Sequence, residues 1–173
     1  MNLATIPAFA DPGIFHVIVE SPRGSTLKLK YEPRFEAMSV SRPLPLGVAY
    51  PFDWGFIPST EGPDGDPLDV LVLWDVASYP GVVLSCRAIG VMHIEQNDTN
   101  HDPSNRIRND RILAVPEAAR READITSIDG LPARVRAELE NLALIATALE
   151  GKDVRIVGWG DAAAALTLIT ESA

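Results

Sequence analysis

The stretch "DGDPLDVLVLW" (residues 64–74) runs three carboxylates, Asp64, Asp66 and Asp69, directly into an uninterrupted apolar segment. Carboxylates at this density repel one another, and each resists burial unless a cation or hydrogen-bond donors compensate. In a regular strand Asp64 and Asp66 would share a face and Asp69 would point the other way. Gly65 and Pro67 disfavour a strand there and favour a tight turn, which lets all three side chains converge. Oxygen ligands converging from a turn suit a hard cation such as Mg²⁺. A calcium EF-hand loop fits less well, because Leu68 and Asp69 occupy its fifth and sixth positions and no helix signal flanks it. Taken alone, "DGDP" reads as a solvated turn. The "LDVLVLW" that follows reads as a deeply buried strand.

Working outward, residues 14 to 115 read as short β segments broken by Pro and Gly. "IFHVIVE" (14–20) is β-branched and partly alternating. "TLKLKYE" (26–32) alternates cleanly, with Leu27, Leu29 and Tyr31 on one face and Lys28, Lys30 and Glu32 on the other. "EAMSVSR" (36–42) and "WGFIP" (54–58) are shorter candidates, "SCRAIGVMHIEQ" (85–96) is a second buried strand, and "RILAV" (111–115) closes the set. Between the last two, "EQNDTNHDPSNRIRND" (95–110) is polar and turn-rich and reads as a long exposed loop. After Pro116 the pattern changes. Val135, Leu139, Leu142, Ile145 and Leu149 recur at helical steps, with Gly151 placed to terminate the helix. After "VRIVGW", Asp161 can cap a second helix that starts at "AAAALTLI". The predicted fold is therefore mainly β with α, a small closed barrel carrying two C-terminal helices.

Composition limits the function. A chain of 173 residues with 46% hydrophobic residues suits one domain, residues 1–173, with a real core. A net charge of −9 argues against a nucleic-acid partner or an anionic membrane surface, both of which need a basic face. It also undermines an oligonucleotide-binding barrel, which would carry a basic, aromatic-rich strand face. A phosphate-bearing substrate stays compatible if metal ions carry the positive charge. The one cysteine, Cys86, has no partner for an internal disulfide. No leader pattern or bilayer-length apolar run is present, so a cytoplasmic protein is expected.

Around the Asp cluster lie further residues able to bind anions or metals: Glu20, Lys30, Glu32, Arg42, Tyr50 and Arg111. Each alone reads as a surface or strand-end residue. Together, in the order "VIVESP", "LKYE", "SVSR", "YPFDWGFIP", "DGDPLDV", "CRAIGV", "ILAVP" and "GKDVRIVGW", they resemble the soluble family I inorganic pyrophosphatases over nearly the whole chain. The motif "DGDPLDV" carries the family's signature of Asp, small residue, Asp, Pro, apolar residue, Asp, apolar residue.

That resemblance implies a five-stranded OB-like barrel, Mg²⁺ as cofactor, inorganic pyrophosphate as substrate, and a homo-oligomer, a hexamer among bacterial members of this length. It implies metal ions held by Asp64 and Asp69, with Glu32 and Glu20 binding a further ion, and a metal-acidified water attacking in line. Asp66 would orient that water and accept its proton. Lys30, Arg42 and Arg111 would neutralise phosphate oxygens, and Tyr50 would donate a hydrogen bond. Trp54 stands where the family has Tyr, so its indole N–H takes the donor's place. Another family Asp aligns at Gln96, with Glu95 and Asp98 as neighbouring carboxylates, and the choice among them stays open. In "RNDR" (108–111) Asn109 replaces a family Asp or Asp110 lies one place off. Asp110 is taken as the metal ligand. A family Tyr–Lys pair that grips phosphate falls on Ile145 and Ala146, which cannot do so, and Arg106 or Arg108 in the inserted loop are candidate replacements. An alternative reading is a catalytically weakened relative that binds metal and a phosphate ligand.

Overall fold

The computed structural model describes residues 2–99 and 102–173. Within them the chain runs β1 (Phe9–Asp11), β2 (Ile14–Ser21), β3 (Leu27–Glu32), β4 (Ala37–Pro43), β5 (Asp53–Phe56), β6 (Asp69–Val72), β7 (Val83–Asn97), β8 (Arg106–Arg108) and β9 (Arg111–Pro116). Helix α1 (Ala133–Thr147), β10 (Arg155–Gly160) and α2 (Ala162–Ser172) follow.

Five of these strands close on themselves. β2 pairs with β5, β5 with β6, β6 with β9, β9 with β7, and β7 returns to β2. Every contact in the ring is antiparallel except the parallel pair β6–β9. This is the five-stranded Greek-key closure of an OB-like barrel, as the sequence predicts. Gly55 permits it at one seam, because a Cβ there would collide with the Ile18 carbonyl across the β2–β5 pair.

Alternation along the strands feeds two cores. Val70, Val72, Ile112 and Ala114 join Ala165 and Ile169 of α2. Leu71, Leu73, Leu113 and Val115 join Leu139, Leu142 and Ala146 of α1. Strands buried on both faces must be apolar at every position, which is why β6 and β9 read as continuous hydrophobic runs. Each fully buried Leu or Ile side chain contributes roughly 1.5–3 kcal/mol. The odd-numbered face, towards α1, also carries Asp69 and Arg111, so it builds the site.

Both helices form where predicted. Asp161 caps α2 by accepting from the Ala164 N–H at 2.8 Å. α1 ends at Thr147, and the chain turns through Gly151, which sits at φ +69°. Among the described residues no helix is long and apolar enough to cross a membrane.

Three strands escape the sequence reading: β1, β8 and β10. The predicted loop 95–110 is a correction. β7 runs on to Asn97, and β8 folds back on it with Glu95 opposite Arg108 and Asn97 opposite Arg106. The arginines of β8 hid this short edge strand. Arg106 satisfies itself on Asp153 at 2.8 Å rather than in a core.

Candidate active site

β3 and β4 form a hairpin outside the ring and arch beside its α1 face. Period-two alternation turns Lys28, Lys30 and Glu32 to the same side of β3. The chain from Gly62 to Asp66 is the tight turn predicted for it: Gly65 N–H reaches the Gly62 carbonyl at 3.0 Å, and Gly65 takes φ +80°. Asp64 Oδ1 accepts from the Asp66 N–H at 3.2 Å, which fixes the turn from within.

Hairpin, turn and barrel enclose a cleft of about 850 Å³. Asp64, Asp66, Asp69, Glu20, Glu32, Lys30, Arg42, Tyr50, Trp54 and Arg111 all line it. Of the site residues predicted from sequence, only Asp110 does not.

The three aspartates find compensation inside the protein. Lys30 Nζ lies 2.8 Å from both Asp66 oxygens, in a pair about half exposed to solvent. The parallel register sets Asp69 beside Arg111, whose Nη1 is 2.8 Å from Asp69 Oδ2. Asp64 Oδ2 accepts from the Asn109 amide at 2.7 Å. Burial, and then the charge of Asp69, push the Asp64 carboxyl above its ordinary range. Burial likewise raises Glu20 to about 7, against the lowering effect of the Tyr31 N–H donated to it at 2.7 Å. Tyr50 is pushed up, chiefly by burial and then by Asp69, so it keeps its proton and can donate. Burial lowers Lys30, but its hydrogen bond and charge pairing with Asp66 win and raise it overall.

Arg42 crosses from β4 to the end of α1. Its Nη2 donates to the Ala146 carbonyl at 2.7 Å, and its Nε lies 3.3 Å from Glu150. A guanidinium is well suited to the carbonyl end of a helix. The Trp54 ring lies 5.5 Å from that of Tyr50, with the Arg111 guanidinium 5.2 Å from its centroid. Its Nε1–H is buried with no acceptor among the described residues.

Asp110 is the correction. Asn109 and Arg111 face the cleft, so the residue between them in an extended chain faces away. Its carboxylate accepts from Ile94 N–H at 2.9 Å and from Arg108 Nε and Nη2 at 3.1 and 2.9 Å, and meets His93 Nδ1 at 2.9 Å. Burial raises this carboxyl, but those donors outweigh it and hold the pKa below the ordinary range. Asn109 is the inward residue, bridging Asp64 and, through Oδ1, the Arg111 guanidinium.

Of the remaining altered positions, Ala146 alone reaches the cleft. Glu95, Gln96 and Asp98 do not line the cleft, and neither do Arg106 and Arg108, which are engaged with Asp153 and Asp110. Ile145 is half exposed on the outer side of α1, and Ala146 offers the cleft only a methyl group. Three charged residues of the cleft were not singled out from sequence, Lys28, Glu150 and Lys152. Lys28 was legible from its alternation with Lys30, whereas nothing in "GKDVRIVGW" distinguishes Lys152.

The profile of one family, inorganic pyrophosphatase, matches residues 17–173. The chain belongs to the inorganic pyrophosphatase family. An inorganic pyrophosphatase of Nostoc is 34% identical over 173 residues, covering 99% of this chain and 97% of that one. One from Thermus thermophilus is 37% identical over 169 residues, covering 95% and 92%. The crystal structure of an inorganic pyrophosphatase from Thermus thermophilus superposes with a TM-score of 0.90 at 34% identity, covering 99% of this chain and 97% of that chain. The predicted family, barrel and enzyme class, an inorganic diphosphatase, are met at this level.

Inorganic pyrophosphatase membership implies a divalent metal cofactor. Among the described residues no three acidic, His or Cys side chains converge on a single point. The donor chemistry nevertheless fits. Asp64, Asp66, Asp69 and Glu20 present hard oxygens to one cleft, and a cation among them would offset the burial and the Asp69 charge that raise Asp64 and Glu20.

Proposed function

We propose that this protein hydrolyses inorganic pyrophosphate to two phosphates with Mg²⁺. The observation that carries the reading is one cleft holding the Asp64/Asp66/Asp69 carboxylates against Lys30, Arg42 and Arg111. Asp64 and Asp69 would hold the metal, with Glu20 and Glu32 within the same wall for a further ion. When bound, Mg²⁺ supplies positive charge to a dense anion and acidifies water.

This chain's own residues do the rest. Asp66 orients the attacking water and accepts its proton, and the Lys30 ammonium shared by both its oxygens fixes the carboxylate in the cleft. Arg111 and Lys30 stand ready to meet phosphate oxygens as charge builds on the leaving group. Tyr50 and the acceptor-free indole N–H of Trp54 are neutral donors on the same wall. Arg42 offers whatever part of its fork the α1 carbonyl end leaves free.

Residues 1–173 act as one domain in this reading, and the buried, unpaired Cys86 suits a reducing cytoplasm. A homo-oligomer, a hexamer by resemblance, is part of it, and exposed Leu46, Phe35 and Leu149 are apolar surface for such contacts. Phosphate release from pyrophosphate, with and without Mg²⁺ and beside nucleoside triphosphates as competitors, tests the function. Sedimentation tests the assembly.

One observation favours the second reading, a weakened relative that binds metal and phosphate. Asn109 fills the inward position with a neutral amide, and Arg111 already pairs with Asp69. Tight phosphate and metal binding without turnover would select it.

A further inference from the structure

Lys28 is an unusual residue for the wall of an anion site that already has its cations. It sits on β3 directly opposite Arg42 of β4, at a point where the register shifts and β4 accommodates the extra residue Ser41. Like charges directly opposite on neighbouring strands destabilise a pair. Arg42 is relieved by Glu150 and the Ala146 carbonyl. Lys28 is not relieved in this way. Among the described residues its ammonium has no ion pair and no hydrogen-bond acceptor, only the face of Trp54 with Nζ 5.7 Å from the centroid. That face is also approached by the Arg111 guanidinium at 5.2 Å.

A second lysine reaches the same space from another element. Lys152 lies in the segment between α1 and β10, lines the cleft, and has no carboxylate partner among the described residues. Asp69 is the favourable charge that most affects Lys28, and it already accepts from Arg111. Burial is the main influence pulling Lys28 below the ordinary lysine range, with the charges of Arg111 and Lys152 adding to it. Two lysines that line one cleft of an acidic protein, neither with a carboxylate partner among the described residues, lower the energy of an anion placed between them.

We propose that Lys28 and Lys152 form a phosphoryl-binding station on the α1 side of the cleft. It is separate from the station made by Lys30 and Arg111, which are tied to the aspartates. The ligand is the phosphoryl group remote from the Asp cluster in the bound diphosphate, and inorganic phosphate after cleavage. This rests on the pyrophosphatase reading. It adds that the charge holding the remote phosphoryl group comes from two lysines outside the metal-binding wall.

The test uses the full-length protein with Lys28→Gln, Lys152→Gln and the charge-preserving Lys28→Arg. Steady-state turnover of pyrophosphate is measured with saturating Mg²⁺, and titration calorimetry with inorganic phosphate is run separately. A charged hydrogen bond lost from each site weakens the ligand by roughly tenfold or more. Lys28→Gln and Lys152→Gln should each raise KM for pyrophosphate and Kd for phosphate by about that factor. The effect on kcat should be smaller, as befits lost ground-state binding. Lys28→Arg should recover most of the loss.

An active wild type whose KM and phosphate Kd do not move in either Gln variant overturns the station. So does a fall in kcat at fixed KM, which assigns Lys28 to another role. If the wild type fails to split pyrophosphate, the parent reading falls instead, and the phosphate Kd of the three variants still decides for or against the two lysines. Lys28→Gln removes a half-buried cation that has no ion pair among the described residues, so it should melt no lower than wild type. Lys152→Gln, on a different element, guards against misfolding of the hairpin.

Discussion

Asp110 gives the most direct check on the geometry, because its charge, one place off the family spacing, nominates it as a metal ligand and the fold turns it away. Consider Asp110→Ala. The side chain is only 10% exposed, and removing it strips the Ile94 N–H of its acceptor. A buried donor left unsatisfied costs about 1–3 kcal/mol. The pair with Arg108, whose side chain is 44% exposed, adds no more than about 1 kcal/mol after solvent screening. The total is about 1–4 kcal/mol. For a domain of this size that is a fall in Tm of roughly 2–16 °C. The pH dependence has a definite sign. The folded pKa of Asp110 is depressed, so its stabilisation is fully present above the unfolded carboxylate pKa of about 3.9 and is lost as pH falls through the lower folded value. The gap between wild type and Asp110→Ala should therefore be widest near neutrality and narrow in acid below about pH 4. Thermal melts in chelator across that range measure it. A Mg²⁺ titration of turnover on the same variant should show the half-saturating concentration nearly unmoved. An unchanged Tm with a tenfold or greater rise in the Mg²⁺ requirement would refute the placement of Asp110.

Further outcomes follow from the cleft. Excess chelator should abolish pyrophosphate turnover and weaken phosphate binding; full turnover in chelator contradicts a metal-dependent reaction. Asp66→Asn keeps volume and an oxygen but removes the proton acceptor, so kcat should fall by ~10²–10⁴-fold while calorimetry still detects metal and phosphate. Intact turnover at saturating Mg²⁺ would make Asp66 a ligand instead. Glu20, raised to about 7 mainly by burial, binds a proton more tightly in the folded than in the unfolded chain. Metal-free stability should therefore drop as pH rises from about 4.5 to 7. Glu20→Gln should remove that drop and stabilise the chelated protein at pH 8 by about 1–3 kcal/mol, whereas a loss of stability there contradicts the assignment.

How much of this was legible depends on whether the information was local. β3 showed its two faces because alternation is a period-two signal, and α2 showed its start because Asp161 must satisfy the Ala164 N–H. β6 and β9 showed themselves as buried runs, but nothing local says that they lie side by side in parallel, which is what brings Asp69 to Arg111. β8 and β10 were missed for opposite reasons. β8 is a short arginine-rich edge, and β10 is interrupted by Gly158 where its register on β7 shifts. The choice of Asp110 weighed charge above pleat. Arg111 facing the cleft already requires Asn109 to face it too and Asp110 to face away. Lys152 had no signal of its own, since only the return of the chain after α1 carries it to the cleft.

The crowding of Asp64, Asp66 and Asp69 is resolved by a balance of charge within the cleft. Glu20, Glu32, Asp64, Asp66, Asp69 and Glu150 face Lys28, Lys30, Arg42, Arg111 and Lys152. The cleft is thus close to neutral although the whole chain carries −9. A diphosphate entering it finds cations on the hairpin and α1 sides, while its metal finds aspartates already engaged by Lys30, Arg111 and the Asn109 amide. On the proposed reading a divalent ion would compete with Arg111 for Asp69, and a guanidinium so released would be free to meet a phosphate oxygen. Metal and substrate binding would then be coupled through Arg111, which is paired with the proposed metal ligand Asp69, whereas Lys30 would stay on Asp66. Asn109, which hydrogen-bonds both Asp64 and Arg111, would on the same reading give the metal one charge fewer than a carboxylate there.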